Sequence, residues 1–207
     1  MLPITILALL GISMLMMGDN DTPEVEDDPD DETGAYALES GQTVVGTDGD
    51  DVFNLVEDTR YEDGPLSISA GAGNDSIDLL PYDANRVDID AGEGDDSVRF
   101  RGDGLSTIDA GAGDDEVVIF DGAATVYGGE GRDVITSDSA NRDHSEFYGD
   151  AGDDVLMTSQ HANAGSGYWA QADGGEGDDR LIHAAQPQYD GLSAMRLTGG
   201  EGKTALR

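Results

Sequence analysis

Asp51, Asp75, Asp96, Asp115, Asp133, Asp154 and Asp179 each stand at the sixth place of a short glycine-rich block, and that fixed placement is the chain's strongest chemical signal. The blocks read small-Gly-x-Gly-x-Asp-x-apolar and begin at Gly46, Ala70, Ala91, Ala110, Gly128, Gly149 and Gly174, with a degraded copy at Gly199 that carries Thr204 in place of the aspartate. Carboxylates and backbone carbonyls are hard oxygen donors, the kind that calcium gathers in sets of roughly six to eight at about 2.3–2.6 Å. The block supplies both. Gly46 and Gly49 in the first copy, and Gly71, Gly73, Gly92, Gly94, Gly111, Gly113, Gly129, Gly131, Gly152, Gly175 and Gly177 in the later ones, can turn the backbone so that its carbonyls face inward, where a Cβ would otherwise clash. If two such turns stack, the carbonyls of both and their pair of carboxylates surround one gap. Seven aspartate-bearing turns leave 7 − 1 = 6 gaps, so the sequence predicts about six calcium ions in a single ladder.

Glycine and aspartate also favour turns for reasons unrelated to metals, and for a single block that explanation would be enough. It fails for seven blocks in register. Like charges stacked about 4.8 Å apart repel unless something positive lies between them.

The residues flanking the blocks show what must position them. Two places before each block stand Val44, Ile68, Ile89, Ile108, Val126, Phe147, Ala172 and Leu197; at the eighth place stand Phe53, Ile77, Val98, Val117, Ile135, Leu156, Leu181 and Leu206. Leu55, Leu79, Phe100 and Ile119 continue the alternation two residues on, in the first four repeats. Period-two apolar residues on both sides of a glycine turn predict two half-buried strands per repeat, joined by a return loop. Block starts are separated by 24, 21, 19, 18, 21, 25 and 25 residues, so the shortest spacing approximates one full coil and the longer ones carry insertions in the return loop. A unit of this kind buries its apolar row only against its neighbours. The predicted fold is therefore all-β, a parallel β-roll or β-helix solenoid of about seven or eight coils over residues 41–207. Its core is thin, so apolar burial alone is a weak source of stability.

Composition agrees with a cation partner. Forty-five acidic against 10 basic residues give a net charge of −35, which disfavours nucleic acid and anionic lipid surfaces as partners, since both require clustered Lys and Arg. There is no cysteine, so disulfides and thiolate metal sites are excluded. Residues 1–18 are apolar throughout, which predicts an export signal or a membrane anchor; as an anchor, the stretch would tether the protein to a membrane. Residues 19–40 open with a run of Asp and Glu broken by two prolines and predict a disordered acidic linker.

Motifs for catalysis are not visible. Gly199 to Thr204 superficially resembles a phosphate-binding loop, but Leu197 stands where that loop requires its first glycine. His144, His161 and His183 lack zinc-site spacing and read as solvated loop residues, while Tyr168 and Trp169 read as a cover over a thinning core. The chain is expected to be no enzyme. Two other readings stay open: a module of a larger exported enzyme or adhesin extending past Arg207, and an enzyme of the polysaccharide-acting β-helical kind.

The recurring block resembles the glycine-rich nonapeptide of the RTX, or haemolysin-type, calcium-binding repeats, and the resemblance covers roughly Gly41 to Leu206. It implies a parallel β-roll that folds on binding calcium and is exported by a gram-negative bacterium to its surface or surroundings. The chain departs from the pattern in having one glycine turn per coil, Ala at position one in three blocks, and Asp150 where the second glycine is usual.

Overall fold

The computed structural model describes residues 35–38, 43–55, 65–80, 86–138, 145–160, 169–185 and 194–206. Their elements are β1 (Ala35–Leu38), β2 (Thr43–Val45), β3 (Val52–Leu55), β4 (Leu66–Ala72), β5 (Ser76–Leu79), β6 (Val87–Glu93), β7 (Ser97–Ala112), β8 (Glu116–Glu130), β9 (Val134–Ser137), β10 (Ser145–Ala151), β11 (Val155–Gln160), β12 (Trp169–Asp173), β13 (Arg180–Ala185), β14 (Ala194–Thr198) and β15 (Ala205–Leu206). Among the described residues there is no helix.

Every strand pairing is parallel, and the strands form two rows. One row runs β1-β3-β5-β7-β8-β9-β11-β13-β15; the other runs β2-β4-β6, continues through the second halves of β7 and β8, and ends β10-β12-β14. The chain climbs from one row to the other through each glycine block and back through a return bend. This is the parallel β-solenoid that the spacing predicts.

Register follows the apolar rows residue by residue. Val44, Ile68, Ile89, Ile108, Val126, Phe147, Ala172 and Leu197 pair in succession across one row. Phe53, Ile77, Val98, Val117, Ile135, Leu156, Leu181 and Leu206 do so across the other. A slip of one residue would turn each of these rows to solvent, so burial fixes the stacking. The interior is one apolar column in which Phe53, Phe100 and Phe147 are among the largest fully buried side chains.

Three observations depart from the sequence reading. A strand, β1, lies inside the stretch 19–40 predicted as linker, where Tyr36 pairs with Phe53 and Leu38 with Leu55 and the register of β3 is extended by one strand. No glycine block precedes that strand, so a repeat anchored on glycine overlooks it. Next, the two shortest coils have no separate return loop: β7 and β8 run 16 and 15 residues around the bend, with register shifts at Phe100/Arg101 and Arg101/Leu105. Finally, the row that holds Leu79, Phe100 and Ile119 continues as Ser137, Thr158 and His183, so one inward row turns polar in the later coils. The predicted segment 1–18, most of the predicted linker, and His144, His161 and Tyr168 lie outside the described residues.

Candidate metal centre

Each glycine block is a turn laid on the turn of the coil before it. At Gly111, φ is 104° and a Cβ would run into the carbonyl oxygen of Gly92; at Gly113, φ is 142° and the obstacle is the carbonyl of Gly94. The same positive φ is found at Gly71, Gly73, Gly92, Gly94, Gly129, Gly131, Gly152, Gly175 and Gly177, but not at Gly46 or Gly49 of the first block. Asp150 takes the place of a second-position glycine and holds φ at 67°, the sole positive φ of a non-glycine residue among those described.

Turns packed this closely leave their oxygens in columns. The third-position carbonyls are consumed: Gly73, Gly94 and Gly113 donate N–H to the carbonyls of Glu93, Ala112 and Glu130 at 2.7–2.8 Å. The fourth-position carbonyls of Gly73, Gly94, Gly113, Gly131, Gly152 and Gly177 receive no hydrogen bond among the described residues. Each points along the stack toward the α-carbon of the fourth-position glycine, one coil on.

The sequence-predicted aspartates form the inner column. Asp51, Asp75, Asp96, Asp115, Asp133, Asp154 and Asp179 are all buried, at 0–3 % exposure, and lie at the border between turn and core. One oxygen of each carboxylate from Asp75 onward is used. The main-chain N–H groups of Asp51, Asp75, Asp96, Asp115, Asp133 and Asp154 donate to Oδ1 of the aspartate one coil later at 2.7–3.1 Å. The other oxygen is not. Oδ2 of Asp75, Asp96, Asp115, Asp133, Asp154 and Asp179 is buried without a hydrogen-bond partner. A buried, unpaired carboxylate oxygen costs several kcal/mol unless it is neutralised or gains a partner.

Asp51 differs. The N–H of Thr47 donates to its Oδ2 at 2.6 Å, and the Thr47 hydroxyl lies 3.2 Å from both carboxylate oxygens, so the first turn closes the column internally. At the far end Thr204 takes the aspartate's place, and its hydroxyl donates to the carbonyl of Gly199.

Burial raises the carboxyl pKa of the six aspartates from Asp75 to Asp179. Desolvation is the largest cause, opposed by the backbone N–H donated to each and reinforced by neighbouring carboxylates: Asp75, Asp96 and Asp133 are pushed up to about 6, Asp115 and Asp154 to about 7, and Asp179 upward. At neutral pH the column is thus an array of reluctant anions, which a cation would relieve.

A second, outer ladder went unnoticed in the sequence. Asn74, Asp95, Asp114 and Arg132 donate main-chain N–H to Oδ1 of the fifth-position residue one coil earlier, namely Asp50, Asn74, Asp95 and Asp114, at 2.8–2.9 Å. Asp178 and Lys203 repeat the pattern on Asp153 and Asp178 at 2.8 and 3.0 Å. Arg132 has no oxygen to offer Asp153, so the ladder is interrupted there. The signal was present, as Asp or Asn at position five of six of the eight blocks, but it was absorbed into overall acidity.

The residues fit calcium better than a metal that demands nitrogen or sulfur ligands. Among the described residues no three His, Cys, Asp or Glu side chains converge on one point, so an ion between two turns would draw much of its coordination from backbone carbonyls. That is a calcium-type oxygen set, whereas magnesium demands near-octahedral geometry at about 2.0–2.1 Å and gives up water reluctantly. His183 is not the solvated loop residue that its sequence context predicts. It lies in the polar continuation of the inner row, its Nδ1 is 3.0 Å from Thr158 Oγ1, and burial lowers its pKa. Comparison of the chain with protein-family models, with curated proteins and with solved structures gave no match.

Proposed function

We propose that the protein is a non-enzymatic calcium-binding module of the RTX-like kind, exported from a gram-negative cell, whose solenoid becomes stable when calcium lies between successive glycine turns. The observation that carries this reading is the file of buried aspartate Oδ2 atoms, six of them without a partner, one in each turn from Asp75 to Asp179. Folding without a cation must desolvate these carboxylates and bring them together; folding around calcium gives each a ligand role beside otherwise unused carbonyls. The ion's charge would supply the counter-field, and the turn backbone would hold the oxygens in place.

Coupling of this kind makes binding and folding one transition. Extracellular calcium modules work at about 10⁻⁴–10⁻³ M, so the chain would stay loose in calcium-poor cytosol and compact outside the cell. A calcium titration followed by circular dichroism and calorimetry tests the proposal. The expected result is a cooperative gain of β signal with close to one ion per unpartnered carboxylate. A full β signal in excess chelator, or no heat on adding calcium, would overturn it.

A further inference from the structure

The seven inner aspartates are not equivalent, and one residue accounts for the exception. From Asp75 to Asp179, Oδ2 is buried without a partner, whereas Oδ2 of the equally buried Asp51 accepts the Thr47 N–H at 2.6 Å. The Thr47 hydroxyl lies 3.2 Å from both carboxylate oxygens, close enough to donate to either, and accepts the N–H of Gly49 at 3.1 Å. Position two of the block is where the turns part company. Gly71, Gly92, Gly111 and Gly129 stand there in later turns with φ of 104–115°, a conformation that a β-branched residue strongly resists, and Thr47 does not adopt it. Thr47 thus gives Asp51 the hydrogen bonds that Oδ2 lacks in the other turns.

We infer that Thr47 is the stop of the calcium ladder: its N–H and hydroxyl take the place of an ion at Asp51, so the ladder's first carboxylate ligand is Asp75. The inference rests on the calcium reading. A cation arriving at Asp51 must first break the bonds from Thr47, whereas the unpaired Oδ2 atoms give up no hydrogen bond when they bind. The position suits a stop, because no glycine block stands N-terminal to Gly46 and the first turn has no earlier turn with which to share an ion. Six gaps between seven aspartates and six unpaired oxygens give the same number of ions, but they assign Asp51 opposite roles. In the first count it is a ligand; in the second it holds no ion.

Calorimetric titration of calcium into the full chain tests this, with circular dichroism at saturating calcium as the check of folding. Asp51→Asn, which keeps an oxygen for the Thr47 N–H, is expected to bind as many ions as wild type, while Asp75→Asn loses at least one. Thr47→Gly, which removes the hydroxyl and admits the positive φ seen at Gly71, is expected to gain one ion. The sign is diagnostic. A purely structural role for Thr47 predicts a count that is unchanged or reduced, since losing its hydrogen bonds only loosens the first coil. A loss of ions from D51N equal to that from D75N, or no gain in a folded T47G, overturns the inference while leaving calcium binding intact. Should T47G fail to fold, D51N against D75N decides alone. No calcium heat from wild type removes the calcium reading and this inference together.

Discussion

The described strands within Leu66–Ile119 and those within Val134–Leu206 share the same parallel stacking but not the same interior. In the earlier coils the inward row beyond the turn is Leu79, Phe100 and Ile119, at 0–1 % exposure. In the later coils that row is Ser137, Thr158 and His183, and the terminal Leu206 is 55 % exposed. A solenoid repeat has two sources of stability, its apolar column and its turn column, and one can weaken where the other is strong. The turn column is alike in both regions, whereas the apolar column is fuller in the earlier coils.

Removing calcium should break this comparison open most visibly. Hydrogen exchange at falling calcium is expected to strip protection from β9 to β15 before β4 to β8, because the later coils have less apolar burial to fall back on. Simultaneous loss along the whole length would mean that the two regions form one cooperative unit. Core truncation gives the next largest effect. Phe100→Ala should cost about 3–5 kcal/mol in calcium-saturated denaturation, whereas Ser137→Ala, which removes only a hydroxyl at the same row position, should stay below about 1 kcal/mol.

The pH response sharpens the contrast between turns with and without ions. In excess chelator, the aspartates' folded pKa values of about 6 to 7 lie above the unfolded value near 3.8. Protonation therefore favours the fold: the stability they contribute is complete below pH 4 and is lost as pH rises through 6 to 7. With calcium the sign reverses, since protons compete for the ligands and apparent affinity falls below pH 6. Melting temperature against pH, with and without calcium, checks both arms. A small effect of opposite sign is expected at Asp150, where Asp150→Gly relieves a positive φ in the later region and should stabilise by about 1 kcal/mol in the same denaturation assay.

The two rows that pair Ile68 with Ile89 and Ile77 with Val98 were legible in the sequence because period-two burial admits a single register. So was the aspartate column, since its position in the block never varies. What stayed hidden depends on three-dimensional neighbours. That one oxygen of Asp96 would take a main-chain N–H while the other went without is decided by the stacking distance, which no spacing reveals. β1 was missed because pairing with β3, and not a turn of its own, orders it. His183 was misjudged because its row had been apolar four coils running, and a polar residue in such a register looks like a loop.

The two side-chain ladders run in opposite senses: inner carboxylates accept from the coil before, outer ones from the coil after. Pulling most pairs of adjacent turns apart along the rod must therefore break an inner and an outer tie at once. Two joints keep a single side-chain tie: between the turns of Arg132 and Asp153 only the inner one, Asp133 N–H to Asp154 Oδ1, and at the last turn, where Thr204 replaces the aspartate, only the outer one, Lys203 N–H to Asp178 Oδ1. Under tension, those joints are where the turn column should part first.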